Sequence, residues 1–218
     1  MKKNTAIFDM DGLLIDSEPL WHEAAREVML GMGVDMDEAT YATTVGLRTR
    51  EFLEHWFAVY GIRDVSIVDT DVDITRRVIE KVRKNGVLMP GVREALSLLK
   101  DKGIRIGLAT SSPSSLITAM IETTGLQEVF EAITSAEHLA YGKPHPQVYL
   151  DCAELLGVHP TKCVCFEDSF NGMIAAKAAR MKCVVVPEAS VRNLKVWEAA
   201  DRKLSDLTEF TEEVWHSI

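Results

Sequence analysis

The chain opens on a short apolar run, Ala6-Ile7-Phe8, that delivers two carboxylates two residues apart, Asp9 and Asp11, just before Gly12. An apolar run bounded by turn residues predicts a buried strand, and the glycine predicts a sharp turn after it. From Ser17 the spacing of apolar residues becomes helical and stays so for about seventy residues. Ser17-Glu18-Pro19 starts a first helix that carries Leu20, Trp21, Ala24, Val28 and Met29 on one face. A second short helix is predicted over 37–44, a third from Thr49 to Gly61 and a fourth from Asp73 to Asn85, with Gly46-Leu47-Arg48 as a break. Beyond Pro90-Gly91 helices and apolar strands alternate: helix 92–102, strand 104–109, a helix whose first residue is Pro113, a short strand 132–134, helix 147–156, strand 163–166, helix 170–180 and a last clear strand 184–186. Alternation of this kind predicts a parallel sheet with right-handed crossovers. The expected fold is α/β, a doubly wound and mostly parallel sheet of five or six strands. Residues 1–16 and 89–218 would build this core, and an all-helical cap would be inserted at 17–88.

Composition changes this picture little. The 218 residues, 47% hydrophobic and 26% charged, suffice for one large domain or a core with a smaller insertion. No apolar run approaches the ~20 residues that cross a bilayer, and the first run is too short for a signal-peptide core, so a cytoplasmic location is expected. The net charge of -9 disfavours nucleic acid and anionic membranes as partners. A small anionic substrate fits only where the site itself supplies positive charge, and the chain is expected to act as a monomer. Cys152, Cys163, Cys165 and Cys183 form no C-x-x-C pair and read as buried, reduced thiols.

The chemistry-bearing residues all fall at the carboxyl ends of expected strands, where ligands gather in open α/β sheets. Asp9 and Asp11 follow the first strand, Thr110, Ser111 and Ser112 the second, Lys143 the third, and Glu167 with Asp168 the fourth. Each has a plain structural alternative: an acidic turn, a helix cap, a solvated loop charge, the acids of a helix N-terminus. Their coincidence at one end of one sheet favours a site. Paired carboxylates suit a nucleophile with a general acid, or a metal site. Four carboxylates around one point call for a cation, and all-oxygen ligands suit Mg²⁺. A lysine and hydroxyl groups beside it suit a phosphoryl group.

Asp9-Met10-Asp11-Gly12, Thr110 after its apolar strand, Lys143-Pro144 and Glu167-Asp168 together resemble, in order, the four motifs of the haloacid dehalogenase superfamily of phosphotransferases. The insertion resembles that family's helical cap of the first type. The resemblance implies that Asp9 accepts the phosphoryl group and that Asp11 carries the proton. It implies a Mg²⁺ held by Asp9, the Asp11 carbonyl, Asp168 and, directly or through water, Glu167. Thr110, Ser111 and Lys143 would bind the phosphoryl oxygens. Asp16-Ser17-Glu18-Pro19-Leu20-Trp21, Val45-Gly46-Leu47-Arg48 and Tyr141-Gly142-Lys143-Pro144-His145-Pro146 further resemble the bacterial 2-deoxyglucose-6-phosphate and hexitol-phosphate phosphatases. The implied substrate is a small sugar or sugar-alcohol phosphate, met in the cap by Gly46, Leu47, Arg48 and Trp21, with His22, His55 and Trp56 as further candidate walls. Arg48 is the candidate for sugar hydroxyls or a distal anionic group. The enzyme alternative is a sugar-phosphate mutase of the β-phosphoglucomutase type, which usually carries a cap histidine where this chain has Trp21. A phospho-receiver or regulatory binding protein fits poorly, because a receiver has no second acid two residues after its acceptor and no inserted cap.

Overall fold

The computed structural model describes residues 3–44 and 47–218. Strand β1 (Thr5–Phe8) is buried at every position. The chain then leaves through Gly12, whose φ of +71° lies in the left-handed region, and enters a helical block of α1 (Glu18–Gly31), α2 (Glu38–Ala42), α3 (Thr49–Tyr60) and α4 (Ile67–Asn85). The remainder alternates as expected: α5 (Val92–Asp101), β2 (Arg105–Thr110), α6 (Ser114–Thr124), β3 (Ala132–Ser135), α7 (Gln147–Leu155), β4 (Cys163–Glu167), α8 (Phe170–Ala178), β5 (Lys182–Val185), β6 (Arg202–Lys203) and α9 (Glu212–Ser217).

The strands form one six-stranded sheet in the order β3-β2-β1-β4-β5-β6, with every pairing parallel. Two halves wind outward from β1, one through β2 and β3, the other through β4, β5 and β6. Asp9 therefore stands where the strand order reverses, the place at which such sheets leave an open crevice. Register brings the neighbours level: Phe8 pairs with Leu108 on one side and with Phe166 on the other. The Phe8 and Phe166 rings stack with centroids 4.4 Å apart, so the next residues of β1 and β4 emerge side by side.

The helical block shares one continuous hydrophobic core with one face of the sheet, where Phe8 and Leu108, with Leu116 of α6, lie in the same cluster as Leu53 and Val78. Ile74, Val78 and Val82 of α4 are buried, with Ala25, Val28 and Met29 of α1 and Leu53, Trp56 and Phe57 of α3 in the same cluster; α4 packs against both α1 and α3, and it also rests on α6. The connections into and out of the block run together. Asp16 N–H donates to the Val87 carbonyl at 3.0 Å and Met89 N–H to the Leu14 carbonyl at 3.0 Å, with Ile15 bridged antiparallel to Leu88.

Two expectations need correction. The fourth helix starts at Ile67 rather than Asp73, capped by the Ser66 hydroxyl, which accepts from Asp69 N–H at 3.2 Å. Pro113 precedes its helix as an extended residue, φ -71° and ψ 155°, and Ser114 is the first helical position. The six strands agree with the expected five or six, the sixth being β6, two exposed residues too short to leave an apolar pattern.

Candidate active site

At the end of β1, Asp9 is 7% exposed and one of its oxygens, Oδ1, accepts from Lys143 Nζ at 2.6 Å. Lys143 is buried as well, and its three protons are fully engaged: Asp9 at 2.6 Å, Glu167 Oε1 at 2.6 Å and the Ala109 carbonyl at 3.1 Å. Glu167, with no exposure, sits against the first turn of α8, where a β-carbon on Gly172 would lie 2.0 Å from its carboxyl carbon. Only glycine admits that approach. Tyr149 from α7 donates its hydroxyl to Glu167 Oε1, and Ser169 offers its hydroxyl to Oε2 at 3.2 Å. The Lys143 ammonium also lies 4.9 Å from the Tyr149 ring centroid.

Burial shifts these groups in opposite senses. It pushes the Asp9 carboxyl up, and Glu167 and Asp11 add to that while Lys143 opposes it, leaving a pKa of about 7. Burial also pushes Asp168 well above the carboxylate range, aided by the charges of Asp9, Glu167 and Glu18. For Lys143 burial disfavours the ammonium, but the Asp9 and Glu167 carboxylates outweigh it and hold the pKa above the ordinary lysine value. Asp9, Glu167 and Asp168 each offer an oxygen within 4.8 Å of the others. Gly12 is shaped to this cluster, since a β-carbon there would fall 2.3 Å from Asp168 Oδ2. Three crowded carboxylates, two of them with raised pKa values, are an all-oxygen donor set that fits a divalent cation.

Asp11 behaves differently. Its side chain turns away from the cluster toward the start of α1, where Oδ1 accepts from Ser17 Oγ at 2.6 Å and Trp21 Nε1 at 3.0 Å, and Oδ2 accepts from Ser112 Oγ at 2.6 Å. Of the expected metal ligands it alone keeps its carboxylate out of the group. The Thr110 hydroxyl accepts from Ser112 N–H at 3.0 Å, and the buried Ser111 Oγ has no hydrogen-bond partner among the described residues.

Asp9, Asp11, Thr110, Ser111, Ser112, Lys143 and Asp168 line one cavity of about 690 Å³, mouth included, with the helical block as its roof. Trp21, Leu47 and Arg48 line it as expected, together with Glu18, Tyr41, Thr49 and Phe52; Gly46 lies outside the described residues. His22, His55 and Trp56 do not line it. Trp56 is buried in the helical block with its indole N–H on Thr44 Oγ1 at 3.1 Å, His55 is exposed and His22 packs on Tyr41 with ring centroids 5.0 Å apart. Glu18 went unrecognised in the sequence because an acid in the first turn of a helix is commonplace. Its Oε2 is buried without a partner among the described residues, and burial beside Asp11 and Asp9 pushes its pKa up to about 8.

A parallel sheet with a buried carboxylate at its switch point, a buried lysine beside it and a helical roof defines an α/β protein with an enclosed polar site. The comparisons name the family. The description "haloacid dehalogenase-like hydrolase" matches residues 3–180, and the chain belongs to that family. It is 47% identical over 207 residues to hexitol phosphatase B of Escherichia coli K12, covering 94% of this chain and 93% of that one. Among solved structures it resembles CbbY from Rhodobacter sphaeroides in complex with phosphate, with a TM-score of 0.85, 27% identity and coverage of 95% and 96%. A β-phosphoglucomutase from Clostridium difficile shares the fold, with a TM-score of 0.85 at 22% identity over 98% of this chain and 96% of that one.

Proposed function

We propose that the protein is a Mg²⁺-dependent phosphatase of small sugar or sugar-alcohol monophosphates that works through a phosphoryl group carried on Asp9. The observation that carries this reading is the pairing of Asp9 with Lys143, buried at the floor of a roofed cavity. The likeness to hexitol phosphatase B supports the substrate class.

Substrate enters with its phosphoryl group between Asp9, Lys143 and the hydroxyls of Thr110 and Ser111, and its polyol part under the helical block. Asp9 attacks phosphorus, the ester P–O bond breaks, and the leaving oxygen takes a proton from Asp11. Water then attacks the phosphoryl group, gives its proton to Asp11, and the phosphorus–Asp9 bond breaks to release phosphate. Asp11 alternates between acid and base, and its partners fit that work. Ser112 Oγ can turn from donor to acceptor when Oδ2 carries the proton, whereas the Trp21 indole can only donate and keeps Oδ1 an acceptor. Lys143 offsets the charge that gathers on the phosphoryl oxygens. A Mg²⁺ would be held by Asp9, Asp168 and the Asp11 carbonyl, with Glu167 directly or through water, and it would neutralise the same oxygens. Residues 17–88 act as the cap that excludes bulk water, hinged where 14–16 and 87–89 run side by side.

Phosphate release across hexose, deoxyhexose and hexitol monophosphates, with and without chelator, tests the reading. Turnover that chelator abolishes is expected, and no turnover of any member, or indifference to chelator, would overturn it. Asp9→Asn should abolish release, and retained activity there would remove the covalent route. Conversion of β-glucose 1-phosphate to glucose 6-phosphate faster than release of phosphate would instead establish the mutase alternative.

A further inference from the structure

The cap arginine expected to meet the substrate is already engaged elsewhere. Arg48 stands immediately before α3, and both terminal nitrogens of its guanidinium reach across to the core: NH1 donates to the Ala136 carbonyl at 3.1 Å and the Leu139 carbonyl at 2.6 Å, NH2 to the Ala140 carbonyl at 3.4 Å. NH2 also pairs with Glu51 Oε1 at 2.6 Å, and that same oxygen accepts from Gly142 N–H at 3.4 Å. Glu51 Oε2 turns back to Arg48 N–H at 3.2 Å, so the two residues form one rigid unit at the start of α3. Their side chains are only 15% and 28% exposed.

All the core partners lie on one loop, the segment after β3 that ends at Lys143. Its backbone is gripped at 136, 139, 140 and 142, and the next residue places its ammonium on Asp9. A planar guanidinium forked over several carbonyls fixes orientation as well as distance. The grip is tight: a β-carbon on Gly142 would lie 2.9 Å from Arg48 Nε and 3.0 Å from Glu51 Oε2. We propose that Arg48 and Glu51 form a latch through which docking of the helical block positions Lys143 against the phosphoryl site. Arg48 is on this account a positioning residue, and the inference rests on the phosphatase reading above. Closing the cap and completing the catalytic set become one event, so that water is excluded whenever Lys143 is in place.

The test uses Arg48→Ala, Gly142→Ala and the double variant, assayed on a hexitol monophosphate and on a small aryl phosphate that has no hydroxyls to offer the cap. Arg48→Ala should lower kcat on both substrates in parallel, by roughly 10- to 100-fold, the range for displaced catalytic groups. Gly142→Ala should act in the same sense. Added to Arg48→Ala it should cost little more, because the β-carbon then meets no guanidinium and only the end of Glu51, a flexible side chain released from its arginine partner. Arg48→Lys, which keeps the charge and loses the fork, should fall between. A loss confined to the hexitol phosphate would make Arg48 a substrate ligand, and independent, additive losses would sever Gly142 from the latch; either result overturns the proposal. Amide hydrogen exchange across 136–143 reads the latch without turnover. Arg48→Ala should speed exchange there, and unchanged exchange would overturn the proposal even if the wild-type chain hydrolysed neither substrate, an outcome that would count against the phosphatase reading alone.

Discussion

Asp11 is held by three donors and no acceptor, and the origin of each donor matters. Ser17 and Trp21 come from the start of the helical block and Ser112 from the loop after β2, so the Asp11 carboxyl is held jointly by the helical block and the sheet. Trp21→Phe deletes one hydrogen bond to the Asp11 carboxyl, an interaction worth about 1 kcal/mol. If that bond aims Asp11 at the leaving oxygen, the loss must grow as the leaving group becomes a poorer one. Across a series of aryl phosphates of similar shape, the dependence of kcat/KM on leaving-group pKa should therefore be steeper in Trp21→Phe than in the wild type. A uniform drop with unchanged slope would mean that Trp21 only packs. The sequence placed Trp21 in the cavity but gave no sign of this bond, because its partner lies across a turn whose path only Gly12 and the fold determine. Asp9, Lys143 and Asp168 were legible for the opposite reason: each follows directly on a strand or loop whose exit the hydrophobic pattern marks.

Glycines test how elements are joined, since two that share a left-handed backbone differ in what surrounds them. Gly91, φ +80°, precedes α5, and a β-carbon there would lie 2.2 Å from Thr208 N and 2.3 Å from the Leu207 carbonyl carbon, rigid backbone in both cases. Gly125, φ +74°, ends α6 with nothing within 4 Å. Gly125→Ala should cost only the left-handed strain of about 1–2 kcal/mol. Gly91→Ala should cost clearly more, because the turn at 207–209 must also move away from α5. Denaturant melts of the two variants check this, and equal losses would mean that the 207–209 turn yields freely. Both glycines were legible as helix boundaries, but only the fold shows which of them a second element crowds. The start of α4 escaped sequence reading on similar grounds: Val68 and Val72 in its first turns are 62% and 63% exposed, so apolar residues there do not mark an inward face. The Arg48 clasp was beyond pattern altogether, for its partners lie about ninety residues away on the far side of the cap boundary.

At the scale of the whole molecule the site is a store of unfavourable charge inside a protein already at -9. Asp9 at about 7 and Glu18 at about 8, with Asp168 well above its usual range, keep protons in the folded chain that the unfolded chain gives up near its ordinary values of 3.8 and 4.5. Between those limits the folded state binds more protons than the unfolded state, so stability falls as pH rises through the window. Lys143 does not counter this slope: its pKa is raised, so its contribution is complete below the unfolded value of 10.5 and is lost only at higher pH. A divalent cation at Asp9 and Asp168 acts against the same repulsion and competes with the same protons, so it should stabilise most where those protons have left. The metal-free protein is accordingly expected to lose melting temperature from about pH 5 to about pH 8. Mg²⁺ should raise the melting temperature little at the acid end and markedly at the alkaline end. Asp9→Asn should flatten the metal-free slope and shrink the Mg²⁺ increment together, because one carboxylate lies behind both. Differential scanning calorimetry with and without chelator reads all three quantities. An increment independent of pH, or one that survives Asp9→Asn in full, would place the cation somewhere other than the mouth of β1.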